Sequence, residues 1–242
     1  MRIKLKIAYD GTNYYGFQHQ NNVPNIEDTL LNAIKKIDKS VEKIYGSGRT
    51  DRFVHAKGQV VHFDTEKNIL EYKWIQAINT FLPNDIIVLS CQYVNDDFHA
   101  RYSATKKEYR YYIRYKNYDL FTRNYAEFIP NINLELMEKN LKRFIGVHDF
   151  RGFCSAQIIK EKNTVKEIYQ ADMLVHDEFL EIVFVGNGFL KYQIRTMIGT
   201  LVDIATGKKD ESIIDEIFET LNPSKSTRVL SGCGLYLVDV SY

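Results

Sequence analysis

Strand-like and helix-like segments are interspersed along this chain, but neighbouring strand-like segments often follow one another with no helix between them. Ile3, Leu5, Ile7 and Tyr9 alternate with Arg2, Lys4 and Lys6, the period of a half-buried strand. Asp10-Gly11-Thr12-Asn13 then has turn chemistry. Ile26, Leu30, Ala33, Ile34 and Ile37 predict a helix with Asn25 as its N-cap. Strands are predicted over Gly58–Phe63 and, as a nearly continuous apolar run, over Asp85–Val94. Lys107–Tyr115 alternates, with Tyr109, Tyr111, Ile113 and Tyr115 on one face and Arg110, Tyr112 and Arg114 on the other. A helix is predicted from Asn133 to Ile145, followed by strands at Glu167–His176 and Phe179–Val185. Helices at Phe189–Thr206, with Gly207 as its C′ glycine, and at Glu211–Leu221 precede a last strand at Leu235–Val240. This order favours an α+β fold whose sheet is mainly antiparallel.

Composition narrows the functional classes. The 242 residues carry 32 basic and 31 acidic side chains, a net charge of only +1, so bulk charge does not announce a nucleic-acid partner. Aromatic residues reach 13%, including 17 tyrosines. Cys91, Cys154 and Cys233 are far apart with no CxxC pair, which argues against a structural zinc site or a disulfide framework and fits a reducing compartment. The first residues alternate apolar and charged side chains instead of forming a signal peptide, and no run is long enough to span a bilayer. The expectation is a cytoplasmic protein with no membrane partner. The histidine spacing suggests no metal site.

Three places could carry chemistry. Gly46-Ser47-Gly48-Arg49-Thr50-Asp51 is neither a P-loop nor a dinucleotide fingerprint. Two glycines imply unusual backbone there, and Asp51 reads either as a turn cap or as a carboxylate activated beside Arg49. The stretch Arg101–Lys116 holds six cations (Arg101, Lys106, Lys107, Arg110, Arg114, Lys116) against Glu108 alone, a local balance of +5, with tyrosines interleaved. That mixture suits RNA, through phosphate contacts and stacking on unpaired bases. It is also compatible with a solvated strand face whose tyrosines, Tyr111 above all, enter a core. Arg195 lies inside a helix with Gly199 at i+4. It reads equally as a snorkelling surface cation or as a buried one with a partner, and the helix glycine leaves room for another backbone or for the arginine to approach.

Taken together, these motifs resemble the tRNA pseudouridine synthase A family over nearly the whole chain. The matching segments are Ala8–Tyr14, Gly16–Gln20, Gly46–Asp51, Val54–Val60, Asn79–Asp85, Phe98–Arg101, Lys107–Tyr111, Phe144–Phe150, Gly186–Leu190 with Ile194-Arg195, and Gly234-Leu235. The resemblance implies the pseudouridine synthase α+β fold, a central, mainly antiparallel sheet flanked by helices, in two ferredoxin-like halves. The halves are placed at 1–105, carrying the aspartate loop, and 106–242, carrying the tyrosine and the arginine.

The resemblance also implies isomerisation of uridine to pseudouridine in the anticodon arm of tRNA, at positions 38 to 40 or a subset, by a homodimer without cofactor. Asp51 would be the catalytic carboxylate, Tyr109 the tyrosine that stacks on the base, and Arg195 the partner of Asp51. Arg49 would help to flip the nucleotide. Arg52, Arg101, Lys107 and Arg110 join it as RNA contacts, and Leu235 lines the base pocket with Tyr109.

Three positions depart from the family pattern. Arg52-Phe53 replaces a small pair, Phe17 replaces tryptophan, and Val229-Leu230-Ser231-Gly232-Cys233 replaces an Ala-Pro pattern. If the second residue after Asp51 needs a positive φ, Phe53 is strained by about 1–2 kcal/mol. These departures open an alternative, a paralogue that binds tRNA or another RNA with altered site preference or little catalysis.

Overall fold

The computed structural model describes residues 1–155, 163–225 and 228–242. In chain order its regular elements are β1 (Arg2–Tyr9), α1 (Ile26–Ile37), β2 (Tyr45–Gly46), β3 (His55–Asp64), α2 (Glu71–Phe81), β4 (Ile86–Val94), β5 (Lys106–Arg114), β6 (Glu127–Phe128), α3 (Leu134–Leu141), β7 (Gly146–Asp149), β8 (Val165–Val175), β9 (Phe179–Gly186), α4 (Gln193–Ala205), α5 (Ile213–Thr220) and β10 (Leu235–Ser241). The architecture is α+β, as the element order predicts. The chain divides into two compact units, Met1–Thr105 with Tyr236–Tyr242, and Lys106–Leu235. The C-terminal strand thus groups with the first unit, a return that a boundary drawn along the sequence at residue 105 does not show.

In the first unit, β1 is central, antiparallel to both β3 and β4, and β2 pairs antiparallel with β3. The resulting βαββαβ order with β4-β1-β3-β2 neighbours is the ferredoxin-like arrangement. Ile3, Leu5, Ile7 and Tyr9 are buried, and the charged residues between them are half-buried. Helix α1 starts where predicted, with the Asn25 side chain accepting from Asp28 N–H. Strand β4 alternates, leaving Ile87 and Leu89 exposed, so its apolar run is not buried on both faces. Helix α2, which buries Trp74 and Ile78, is absent from the sequence reading. No side chain caps its start at Leu70, so the usual start signal is missing. Asn79 near its end exchanges two hydrogen bonds with the backbone of Val88, at 3.0 and 2.8 Å, which accounts for that asparagine structurally.

In the second unit, β5, β9, β8 and β7 form an antiparallel run, and β6 lies parallel to β5. Helix α3 is shorter than predicted, because a 3-10 turn takes over at Lys142–Phe144. His148-Asp149 forms the end of β7. Phe144, Phe150, Phe153 and Phe218 pack ring to ring, so the two ends of the Phe144–Phe150 motif are core while Ile145 and Val147 between them are exposed. Helix α4 begins at Gln193, not at Phe189, because Tyr192 adopts a left-handed backbone with φ 69° that cannot continue a helix backwards. Gly207 has φ 71°, as a C′ glycine should. A Cβ on Gly199 would lie 2.0 Å from the Arg228 carbonyl oxygen. The helix glycine therefore exists to admit a second backbone.

Candidate active site

The loop between β2 and β3 carries Arg49, Asp51, Arg52 and Phe53. Its base is fixed to the sheet. Ser47 N–H donates to the Val60 carbonyl at 2.8 Å, Ser47 Oγ donates to Gln59 Oε1 at 2.6 Å, and Gln59 Nε2 donates back to the Gly48 carbonyl at 2.9 Å. Its far side is fixed to the segment after β1. Phe17 N–H donates to the Thr50 carbonyl at 3.0 Å, Phe53 N–H to the Tyr14 carbonyl at 3.4 Å, and the Thr50 hydroxyl meets the buried Tyr9 hydroxyl at 2.8 Å. Val54 N–H closes the turn on the Asp51 carbonyl at 3.2 Å.

The Ala8–Gln20 motif therefore buttresses this loop. Tyr14 extends the support by donating to Asp85 Oδ1 at 2.6 Å, and Gly11 N–H donates to His55 Nδ1 at 3.1 Å. A backbone held by this many bonds gives Asp51 a defined direction, as a carboxylate needs if it is to react.

The two glycines of the motif do not have positive φ. Gly46 is required by space, since a Cβ there would come within 2.7 Å of the Phe17 ring. The left-handed residue is Phe53, at φ 66°. Phe53 and Tyr15 lie on the Arg52 guanidinium, with their ring centroids 4.3 and 4.2 Å from it. Asp51 is half-buried, whereas Arg49 and Arg52 are exposed, and neither arginine joins an ion pair among the described residues.

The other candidates of the first unit lie outside this loop. Arg101 is exposed, 5.9 Å from the Tyr102 ring centroid. Around it, Tyr45, His62, His99 and Tyr102 form a group of rings that sequence reading missed, because its members are distant in the chain.

In the second unit, Tyr109 is buried on β5 and meets Phe189 edge to face at 5.3 Å. Tyr111, on the same face, is core: its hydroxyl lies 2.5 Å from Glu127 Oε2, and Ser231 N–H donates to the same oxygen at 2.8 Å. Burial, then the Glu127 charge, pushes the Tyr111 phenol well above its ordinary pKa. Arg195 is half-buried, not snorkelling. Its Nε donates to the Leu230 carbonyl at 2.6 Å and its guanidinium lies 5.0 Å from the Tyr192 ring. Leu230 N–H returns a bond to the Arg195 carbonyl at 3.3 Å. The close approach at Gly199 brings the 228–230 segment alongside α4, and this segment holds Arg195. Leu235 is buried, and Lys107 is half-buried at the start of β5.

The basic strip of β5 differs from its sequence reading. Arg110 Nε donates to Glu108 Oε1 at 2.7 Å, and its Nη1 donates to Glu181 Oε1 at 2.5 Å. Arg114 pairs with Glu178 at 2.7 Å and Lys116 with Asp177 at 2.6 Å. Glu181, Glu178 and Asp177 come from β9 and the turn before it, so three of the five excess charges are cancelled in space.

Comparison with known proteins decides the family. A model of tRNA pseudouridine synthases matches residues 6–103 and 141–242. The chain is 41% identical to "tRNA pseudouridine synthase A 1" of Bacillus cereus, over all of this chain and 98% of the relative. It is 40% identical to "tRNA pseudouridine synthase A" of Anoxybacillus flavithermus, again over all of the chain and 98% of the relative, and 40% identical to that of Exiguobacterium sibiricum, over all of the chain and 96% of the relative. This chain belongs to the tRNA pseudouridine synthase family. For a member of that family, the anchored loop, the Tyr109–Phe189 contact and Arg195 fall on motifs that carry the resemblance, whereas Leu230, which holds Arg195, lies in a segment that departs from it. Among the described residues no helix is long and apolar enough to cross a membrane.

Proposed function

We propose that this protein isomerises uridine to pseudouridine in the anticodon arm of tRNA, at positions 38 to 40 or a subset, with Asp51 as the catalytic carboxylate. The carboxylate attacks C1′ or assists glycal formation. The N1–C1′ bond breaks, the base rotates, a C5–C1′ bond forms, and the C5 proton leaves while N1 gains one. Tyr109 stacks on the base, and the edge of Phe189 fixes the plane of its ring. Arg195 is the cation that pairs with Asp51, and Leu235 lines the base pocket. Arg49 helps to turn the nucleotide out of its stack, which costs a few kcal/mol. Arg52, Arg101 and Lys107 take phosphates. The protein acts as a cytoplasmic homodimer.

The observation that carries this reading is the anchored loop, which holds a half-buried carboxylate between two exposed arginines that have no ion pair among the described residues. The test is tritium release from tRNA labelled at uridine C5. Asp51→Ala and Asp51→Asn are expected to lower kcat by at least about 1000-fold while still binding tRNA. Undiminished release by either variant refutes the assignment.

A second reading is favoured by the left-handed Phe53 beside Asp51. It is a paralogue that binds RNA with altered site preference or little catalysis. Wild-type protein that binds tRNA tightly and forms pseudouridine in no transcript would establish it.

A further inference from the structure

The turn after β4 holds rings that the fold does not need. Tyr102 is 77% exposed, and its hydroxyl has no hydrogen-bond partner among the described residues. One face of its ring rests on His99, centroid to centroid 4.4 Å at 34°. His99 also meets His62 at 4.6 Å and Tyr45 at 5.5 Å, and Tyr45, itself 40% exposed, stacks on His62 at 4.9 Å and 14°. Cations border the exposed rings, with Lys43 Nζ 4.8 Å from the Tyr45 centroid and Arg101 5.9 Å from that of Tyr102.

Both imidazoles are fixed by backbone. His99 Nδ1 accepts from Arg101 N–H at 3.1 Å and from Tyr102 N–H at 3.3 Å, and His62 Nδ1 accepts from Ala100 N–H at 3.1 Å. Ser103 closes the turn by donating its N–H to the His99 carbonyl and accepting His99 N–H on its hydroxyl, both at 2.9 Å. Burial lowers the pKa of both histidines, that of His62 to about 4, so the rings are neutral π-surfaces at physiological pH. Arg2 pins the preceding loop through the Asp96 and Phe98 carbonyls. An aromatic ring left in water but held at one angle by a turn with its hydrogen bonds satisfied is preorganised for a planar ligand.

We propose that Tyr102 on its His99 support, flanked by Tyr45, Lys43 and Arg101, is a base-stacking site for an unpaired nucleotide of the RNA substrate. The inference rests on the proposed action on tRNA and adds a second place where the RNA is gripped. The borders of the patch favour nucleic acid, because cations beside exposed rings suit a phosphate next to a stacked base.

The experiment measures tRNA-transcript affinity over a salt series, together with KM and kcat for tritium release. Tyr102→Ala is expected to raise Kd and KM roughly 10-fold, with kcat unchanged and the slope of log K against log salt unchanged. Tyr102→Phe is expected to behave as wild type. Arg101→Ala is expected to reduce that slope by about one, which separates phosphate contact from stacking. Wild-type Kd in the folded Tyr102→Ala and Tyr45→Ala variants overturns the proposal, as does a change in kcat alone. Because the affinity arm needs no turnover, it decides the stacking site even if no pseudouridine forms. Loss of turnover in Asp51→Ala tests the catalytic assignment separately.

Discussion

Two stretches of this chain hold arginines near tyrosines, and they use them differently. In the loop before β3, Arg49 and Arg52 have no ion pair among the described residues, and Arg52 lies against the rings of Tyr15 and Phe53. On β5 and just after it, Arg110, Arg114 and Lys116 are each tied to carboxylates brought alongside by β9 and its turn. The first arrangement leaves charge for a polyanion to neutralise, whereas the second is already neutralised within the fold. A count along the sequence ranks them in the wrong order, because it sees Glu108 but not Glu178, Asp177 and Glu181.

The sharpest way to break this contrast is to remove the loop cations. Arg49→Ala with Arg52→Ala is expected to weaken tRNA binding by about 10- to 100-fold at moderate salt and to lower the salt slope by roughly two. An unchanged slope would show that these cations do not meet phosphates.

The same titration on Arg110→Ala is expected to leave the slope at its wild-type value. The loss falls on stability instead, by about 1–3 kcal/mol in a denaturant melt, because Glu181, only 7% exposed, loses its main partner. Burial works against the Glu181 charge, but the hydrogen bond and charge of Arg110 prevail and hold its pKa below the usual carboxylate value. Its contribution is therefore present above the unfolded carboxylate pKa and is lost only as pH falls through the lowered folded value. The strip stays neutralised across the physiological range. A reduced slope in Arg110→Ala would erase the distinction between the two regions.

The smallest expected effect is at Phe53. Phe53→Gly removes one wall of the Arg52 stack, so tRNA affinity is expected to fall about 2- to 5-fold with the slope unchanged. Stability is expected to shift by less than about 1 kcal/mol, since relief of the left-handed backbone and the greater chain entropy of glycine oppose each other. A fall in kcat alone would place Phe53 in the chemistry instead.

The sequence exposed what depends on local periodicity. Strand β1, helix α1 with its Asn25 cap and the two faces of β5 could be read directly, because burial and polarity alternate at the period of the element. Helix α2 was invisible for want of a capping side chain at Leu70. The start of α4 was misplaced because Tyr192 breaks the helix without a proline or glycine to announce it. The positive φ falls on Phe53, where the departure from the family pattern points. The reason for Gly199 could be guessed as room for a second backbone, but which backbone could not, since Arg228 arrives through tertiary packing. The stacked rings around His99 combine Tyr45, His62 and Tyr102, and no window short enough to scan contains all three.

The return of Tyr236–Tyr242 to the first unit has a consequence for synthesis. Residues Lys106–Leu235 are contiguous and can fold once they leave the ribosome. The earlier unit is completed only when the last strand emerges, because Tyr236 and Leu237 supply the parallel neighbours of His55 and Ala56. At ordinary translation rates the nascent β3 waits on the order of 10 s for that partner, with part of its backbone edge open to other chains. The start of the strand that follows the aspartate loop is thus covered on one side only late in translation.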